Sequence, residues 1–239
     1  MTELRIGTSG WHYGSWRGLF YPPELRPKDF LAFYVRRFAS TEINASFYRL
    51  PAAETVAAWR DAVPNDFVFA WKASRFITHF KRLKDVGDSL ALVFGRMSAL
   101  GPKSGPVLFQ LPPTMRADCE RLAAFLQALP EGWRYALEFR HPSWYDPAIF
   151  DLLRDFDVSL CLSDHAAAPA PMVVTAGHVY LRPHGPGGRY AGNYGDETLR
   201  DWAGRIAAWQ AESRSVYCYF DNDQKSAAPQ DAERLMALL

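Results

Sequence analysis

The sequence has few cysteines and no spacing that would pair them. Cys119, Cys161 and Cys218 are the three among 239 residues, an odd number set too far apart for a zinc knuckle or a vicinal redox pair. That excludes a disulfide scaffold and suits free, buried thiols in a reducing compartment. Long apolar runs are missing as well. No stretch approaches the ~18 residues of a membrane-spanning helix, and the opening MTELRIGTSGW has neither the basic nor the apolar part of a leader peptide. The expectation is a cytoplasmic protein with no membrane partner. An excess of one charge is also missing. Lys and Arg number 27 against 26 Asp and Glu, a formal net charge of +1, so affinity for a polyanion would need a local cluster. The G-x-G-x-x-G fingerprint of an open dinucleotide-binding sheet does not follow the first apolar segment, and no cofactor is expected.

What is present is one unit repeated. Short apolar segments at 5–9, 41–46, 67–73, 106–111, 134–140, 158–163, 178–184 and 216–222 read as strands. Amphipathic stretches near 28–38, 52–62, 86–100, 118–129, 146–155, 196–211 and 228–238 read as helices, while AAAPAPMVVTAG after the sixth strand does not. Strand and helix alternating at this pace imply right-handed crossovers and a parallel sheet. Eight such strands in a chain close to the ~250 residues typical of a (β/α)8 barrel predict a single TIM-type domain over 1–239.

In a barrel, alternate side chains of each strand face the interior, and functional groups gather at the C-terminal strand ends. Along RYALEFR, Leu137 and Phe139 then face the helices while Glu138 and Arg140 face inward. The same alternation places Glu42 and Asn44 inward on strand two, Lys72 on strand three, Gln110 on strand four, Arg182 and His184 on strand seven, and Asn222 on strand eight. Cys161 and Cys218 are expected inward as packing residues. A satisfied ion pair would explain Glu138 with Arg140, but burying several charges at one end costs several kcal/mol unless partners compensate.

Loops at that end are rich in aromatics. Trp11, Tyr13, Trp16, Tyr48, Trp144, Tyr190 and Tyr194 are placed either to stack on a sugar or base or to pack over the barrel mouth. Gly185, Gly187 and Gly188 with Arg182 and Arg189 suit a phosphate site or a flexible connector. His79 and His141 suit proton transfer or loop-holding hydrogen bonds.

IGTSGWHYGSW, FYP at 20–22, TEINASFYRLP, KASRFITH, GPVLFQLPP, ALEFRHPSW, YLRPHG and YFDND occur in order from residue 6 to 223. Together they closely resemble the YecE-like domain-of-unknown-function family. The resemblance implies a TIM-type barrel without an established activity. It maps family motifs onto Trp11, Glu42, Asn44, Tyr48, Lys72, His79, Gln110, Glu138, Arg140, Trp144, Arg182, His184 and Asn222; Asp221 departs from the pattern, in which asparagine is more usual.

Several chemistries can be weighed against these residues. A glycosidase of the common barrel type carries carboxylates after strands four and seven, where this chain has Gln110 and Arg182 with His184. A Schiff-base enzyme needs a desolvated lysine, which Lys72 would supply unless it pairs with Glu138 or Glu42, the expected role. A divalent-metal barrel would use Glu42, Glu138, Asp164, Asp221, His79 or His184, but Lys72, Arg140 and Arg182 repel a cation. The favoured reading is a metal-free enzyme of a small phosphate- or carboxylate-bearing ligand. Arg140, Arg182 and Lys72 bind the anion, and Glu138, His184, Lys72 or Glu42 moves a proton. Trp11, Asn44, Tyr48, His79, Gln110, Trp144, Tyr190 and Asn222 shape the ligand site. In that solvated pocket Glu138→Gln is expected to be tolerated. The alternatives are a mouth that holds nucleic acid by stacking and phosphate contacts, a metal-dependent phosphodiesterase- or endonuclease-like barrel, and a non-catalytic ligand-binding module. Oligomeric state is left open.

Overall fold

The computed structural model describes residues 2–239, so residue 1 of the expected domain lies outside the described residues. Eight parallel strands wind round the molecule: β1 (Leu4–Thr8), β2 (Ser40–Ile43), β3 (Val68–Lys72), β4 (Ser104–Gln110), β5 (Tyr135–Glu138), β6 (Val158–Ser163), β7 (His178–Arg182) and β8 (Ser215–Phe220). Helices α1 (Phe30–Tyr34), α2 (Ala53–Asp61), α3 (Gly87–Met97), α4 (Cys119–Gln127), α5 (Pro147–Asp155), α6 (Asp196–Ala211) and α7 (Ala227–Met236) cover the outside. This is the expected (β/α)8 barrel. The crossover from β6 to β7 has no helix, as the sequence pattern indicated; Thr175 Oγ1 instead bonds Val158 O and Leu160 N, both at 2.7 Å. No helix among the described residues is long and apolar enough to cross a membrane.

Hydrogen-bonded ladders join the strands in the order β1-β8-β7-β6-β5-β4-β3-β2. The remaining seam, between β1 and β2, closes differently. Tyr34 Oη accepts from Thr8 N at 2.9 Å and bonds Ser40 O at 3.1 Å, bridging the two strands from outside. Gly10 N donates to Glu42 O at 2.8 Å. Gly7 makes the close approach possible, since a Cβ there would lie 2.1 Å from Ser40 O. The sequence requirement is steric, not conformational.

Two apolar layers result. Leu137, Phe139, Val107, Val158, Val216 and Phe220 pack against the helices. A smaller interior cluster joins Val68, Ala70, Leu108, Ala136, Cys161, Tyr180, Tyr217 and Tyr219. Cys161 faces inward as expected, but Cys218 belongs to the outer layer. The cause is register. Residues paired across parallel strands share a face, and inward Tyr180 pairs with Tyr217, which turns Cys218 outward and carries Tyr219 and Asp221 inward. Burial raises both thiols, whereas Cys119 is exposed. One thiol of three is therefore expected to react with a disulfide reagent in the native protein and all three after denaturation; three fast native thiols would contradict this packing.

Candidate functional site

The polar residues that end β2, β3, β5 and β7 meet at one barrel mouth around a single guanidinium. Arg182 is fully buried. Its Nε donates to Glu42 Oε2 at 3.0 Å, one terminal nitrogen donates to Ser9 Oγ at 2.7 Å and Glu42 Oε1 at 2.8 Å, and the other reaches Asp221 Oδ2 at 3.0 Å and Glu138 Oε2 at 3.2 Å. Tyr180 Oη donates to Glu42 Oε2 at 2.7 Å. Arg140 pairs with Glu138 Oε1 and donates to Tyr190 Oη at 2.9 Å. His184 Nε2 receives Arg140 at 3.0 Å and Arg182 at 3.1 Å, so that nitrogen acts as an acceptor. Asp164 Oδ1 accepts from His184 N at 2.6 Å, and Tyr194 Oη donates to Oδ2.

Electrostatics follow from this packing. Burial alone would raise the Glu138 carboxyl, but Arg140 and Arg182, with Lys72 beyond them, outweigh it and hold the group well below the usual carboxylate range. Glu42 is lowered in the same way, burial being overcome by Arg182, Lys72 and the Ser9 hydroxyl. Burial pulls on Arg182 in the opposite direction, yet Asp221, Glu42 and Glu138 keep it charged. These groups form a self-satisfied floor.

Lys72 is different. It is 5% exposed, and among the described residues no carboxylate oxygen lies within 4.0 Å of its nitrogen. The expected pairing with Glu138 or Glu42 is therefore overturned. Nζ sits 4.4 Å from the centroid of the Phe47 ring. Burial, and then repulsion from Arg182, lower the ammonium to about 8 against the more distant attraction of Asp221, Glu42 and Glu138. His79 lies on a wide π-type turn, Phe76–Phe80, that follows β3, and its ring meets Phe47 edge-on at 5.1 Å. Burial, then Lys72 and Arg140, lower His79 to about 4 and keep it neutral near pH 7. Gln110 lies beside Glu138 in the β4–β5 register.

The remaining candidates divide. Trp11, Asn44 and Tyr48 line a recess of about 350 Å³ with Tyr13 and Trp59, and Asn44 Oδ1 is buried there without a hydrogen-bond partner. Tyr13 ties the recess to the floor, donating to Ser9 O at 2.6 Å. Tyr190 stands over His184 at the rim. Trp144 does not reach the mouth: it is fully buried, stacked 4.8 Å from Phe139, with its Nε1 on Met115 O. Asn222 does not reach it either. The β8 register points it outward, where Nδ2 bonds Asp231 Oδ2 at 2.8 Å and Gly192 O at 2.8 Å. Asp221, weighed from sequence only as a metal ligand, takes the inward place, and sequence reasoning missed Ser9 and Tyr180. The β7–β8 pairing was the signal required, and it is not written in β8 alone.

With Asp221 inward, Arg140, Arg182 and Lys72 face Glu42, Glu138 and Asp221, three cations against three carboxylates. The cation surplus expected from sequence is thus cancelled. Gly185 and Gly188 serve close packing, since a Cβ would lie 2.4 Å from Ala191 O and 2.3 Å from Asp164 O respectively. His141 holds its loop, Nδ1 accepting from Ser143 N at 3.1 Å. Among the described residues no three His, Cys, Asp or Glu side chains are grouped to hold a metal ion; the guanidinium of Arg182 occupies the point where the carboxylates converge.

The family described as "Protein of unknown function DUF72" matches residues 5–239. The chain belongs to the DUF72 family. The UPF0759 protein YunF of Bacillus subtilis is 27% identical over 271 aligned positions, covering 99% of this chain and 94% of YunF. The UPF0759 protein YecE of Escherichia coli K12 is 32% identical over 143 residues, 59% of this chain, and the match spans about half of YecE, 50%. A DUF72 protein from Thermotoga maritima superposes with a TM-score of 0.89 at 24% identity, covering 99% of this chain and 98% of that one. SacUVDE superposes with a TM-score of 0.63 at 9% identity over 100% of this DUF72 chain and 99% of its own, which is a likeness of fold alone.

Proposed function

We propose that this DUF72 protein, read as one domain over 1–239, is an enzyme that acts without a metal on a small ligand carrying a carboxylate or phosphate. The ligand lies over the β2–β4 side of the mouth. Lys72 carries this reading: among the described residues it is the buried cation at the mouth without a carboxylate contact, whereas Arg140 and Arg182 are already committed. An anion approaching Lys72 supplies the missing counter-charge, and the recess bounded by Trp11, Tyr48 and Trp59 accepts the rest of the molecule. Asn44 Oδ1 offers that part an acceptor. Glu138, Glu42 and His184 hold the field, and Lys72 is the group free to exchange a proton.

Inorganic phosphate and small carboxylates are expected to raise the melting temperature of the wild type at constant ionic strength, and to lose that effect in Lys72→Met. An equal shift in both proteins, or none in the wild type, overturns the reading. A second reading rests on exposed Tyr48, Phe76 and Phe80 at the rim, with Arg75 over Tyr48 and Phe80 and Lys81 over Phe76. Such interleaving suits single-stranded nucleic acid. Oligonucleotide binding that collapses steeply with salt and is indifferent to Lys72→Met would favour it.

A further inference from the structure

We infer that Lys72 is a carbonyl-reactive amine that forms an imine with a small aldehyde or 2-oxo acid at the barrel mouth. The inference rests on the anionic-ligand reading for its choice of 2-oxo acids, and on the geometry of Lys72 for its chemistry. A structural lysine in a protein interior is ordinarily paired. Lys103 shows the ordinary solution, donating to Arg60 O and Val63 O, each at 2.7 Å. Lys72 has Phe47 beneath it and no such partner. It is nevertheless held in place, because Ser46 Oγ donates to its own carbonyl at 2.6 Å and ties the end of β3 to the turn after β2.

Ionisable groups face Lys72 from five elements. They come from β7 (Arg182), β2 (Glu42), β5 (Glu138), the end of β8 (Asp221) and the turn after β3 (His79). Burial and Arg182 favour the neutral amine, whose lone pair is the nucleophile. The Nζ lone pair forms the new C–N bond as the carbonyl π electrons move onto oxygen. That oxygen takes up the proton released from nitrogen, giving a neutral carbinolamine. Loss of the hydroxyl as water, with one proton supplied from the open mouth, leaves an iminium cation, and hydrolysis reverses the sequence without any oxidant or reductant. The floor without Lys72 carries two guanidinium charges and three carboxylates. Its residual negative field favours that iminium. The iminium spreads its charge over carbon and nitrogen and so depends less on hydration than a compact ammonium does. A 2-oxo acid also brings its carboxylate beside the carbonyl, so attraction to Lys72 delivers both groups together.

The test is reductive trapping on the full chain with cyanoborohydride and glyoxylate, pyruvate or propanal, read by intact mass and peptide mapping. Cyanoborohydride supplies the hydride that fixes the imine as a secondary amine. One adduct per chain is expected, on Lys72, forming about tenfold or more faster than on the exposed Lys28 and Lys225 because more of the amine is neutral at pH 7. The Lys72→Arg protein should show only slow surface labelling. Labelling of Lys72 no faster than of Lys28 overturns the inference, whether or not phosphate shifts the melting temperature; an anion shift without trapping leaves the ligand reading standing alone. Fast trapping by propanal with no preference for glyoxylate keeps the amine chemistry and removes the anionic substrate class.

Discussion

Replacing Glu138 by glutamine is expected to destabilise the fold by about 3–5 kcal/mol at neutral pH, the penalty for breaking a buried ion pair by removing one partner. Glu138 is fully buried, and its two oxygens separate Arg140 from Arg182. An amide in that place keeps the shape but turns an N–H toward one guanidinium, so a donor meets a donor where an acceptor stood. Two cations would then face each other with Glu42 and Asp221 left to compensate. The loss corresponds to roughly 6–20 °C in melting temperature for a chain of this size. Half-buried Glu233, paired with the exposed Arg37 at 3.2 Å on the surface, is the control; its glutamine variant should change stability by less than about 1 kcal/mol.

The pH dependence has a definite sign. Glu138 titrates below its ordinary 4.5 in the folded protein, so its contribution is complete above that value and is lost as pH falls below it toward the lower folded value. Wild type and Glu138→Gln should therefore differ most above pH 4.5 and converge in acid. A glutamine variant as stable as the wild type at pH 7 would mean that the floor is solvated and Glu138 is available to a ligand, as the sequence alone led us to expect.

That expectation shows where sequence reasoning stops. Alternation along each strand is local, and the residues it aimed at one mouth, Glu42, Lys72, Glu138 and Arg182, do meet there. Alternation fixes two possible faces for a strand but not which one turns inward. On β8, tyrosine and cysteine suit either face, so the choice of Asn222 over Asp221 depended on pairing with β7, a contact between segments some 40 residues apart. Nor does a sequence show who pairs with whom. Arg182 crosses the barrel to Glu42, leaving Lys72 without a carboxylate contact, and the inward turn of Asp221 cancels the anticipated surplus of cations. Trp144 looked like a ligand-stacking residue because it lies in an aromatic loop at the C-terminal strand ends, but its neighbour Phe139 faces the helices and the indole follows that ring into the outer core.

Lys72→Met should raise stability while it removes anion binding. The folded protein holds the ammonium at about 8 against 10.5 for an ordinary lysine, and at 1.36 kcal/mol per pH unit that difference is a penalty of about 3 kcal/mol. Methionine carries no such penalty, fills the same volume and places its sulfur against Phe47. Between pH 8 and 10.5 the unfolded chain binds the proton and the folded one does not, so wild-type stability rises with pH across that window. Below pH 8 both states are protonated and the penalty is complete; above 10.5 it has gone. The advantage of Lys72→Met should therefore be largest below pH 8 and shrink through the alkaline range, as followed by denaturant melts at each pH. A variant less stable than the wild type at pH 7 would show that the distant attraction to Glu42, Glu138 and Asp221 outweighs burial. Lys72 would then be a strut of the floor. A more stable variant that no longer responds to phosphate marks it as a residue kept at the expense of the fold, as groups held for binding or chemistry are.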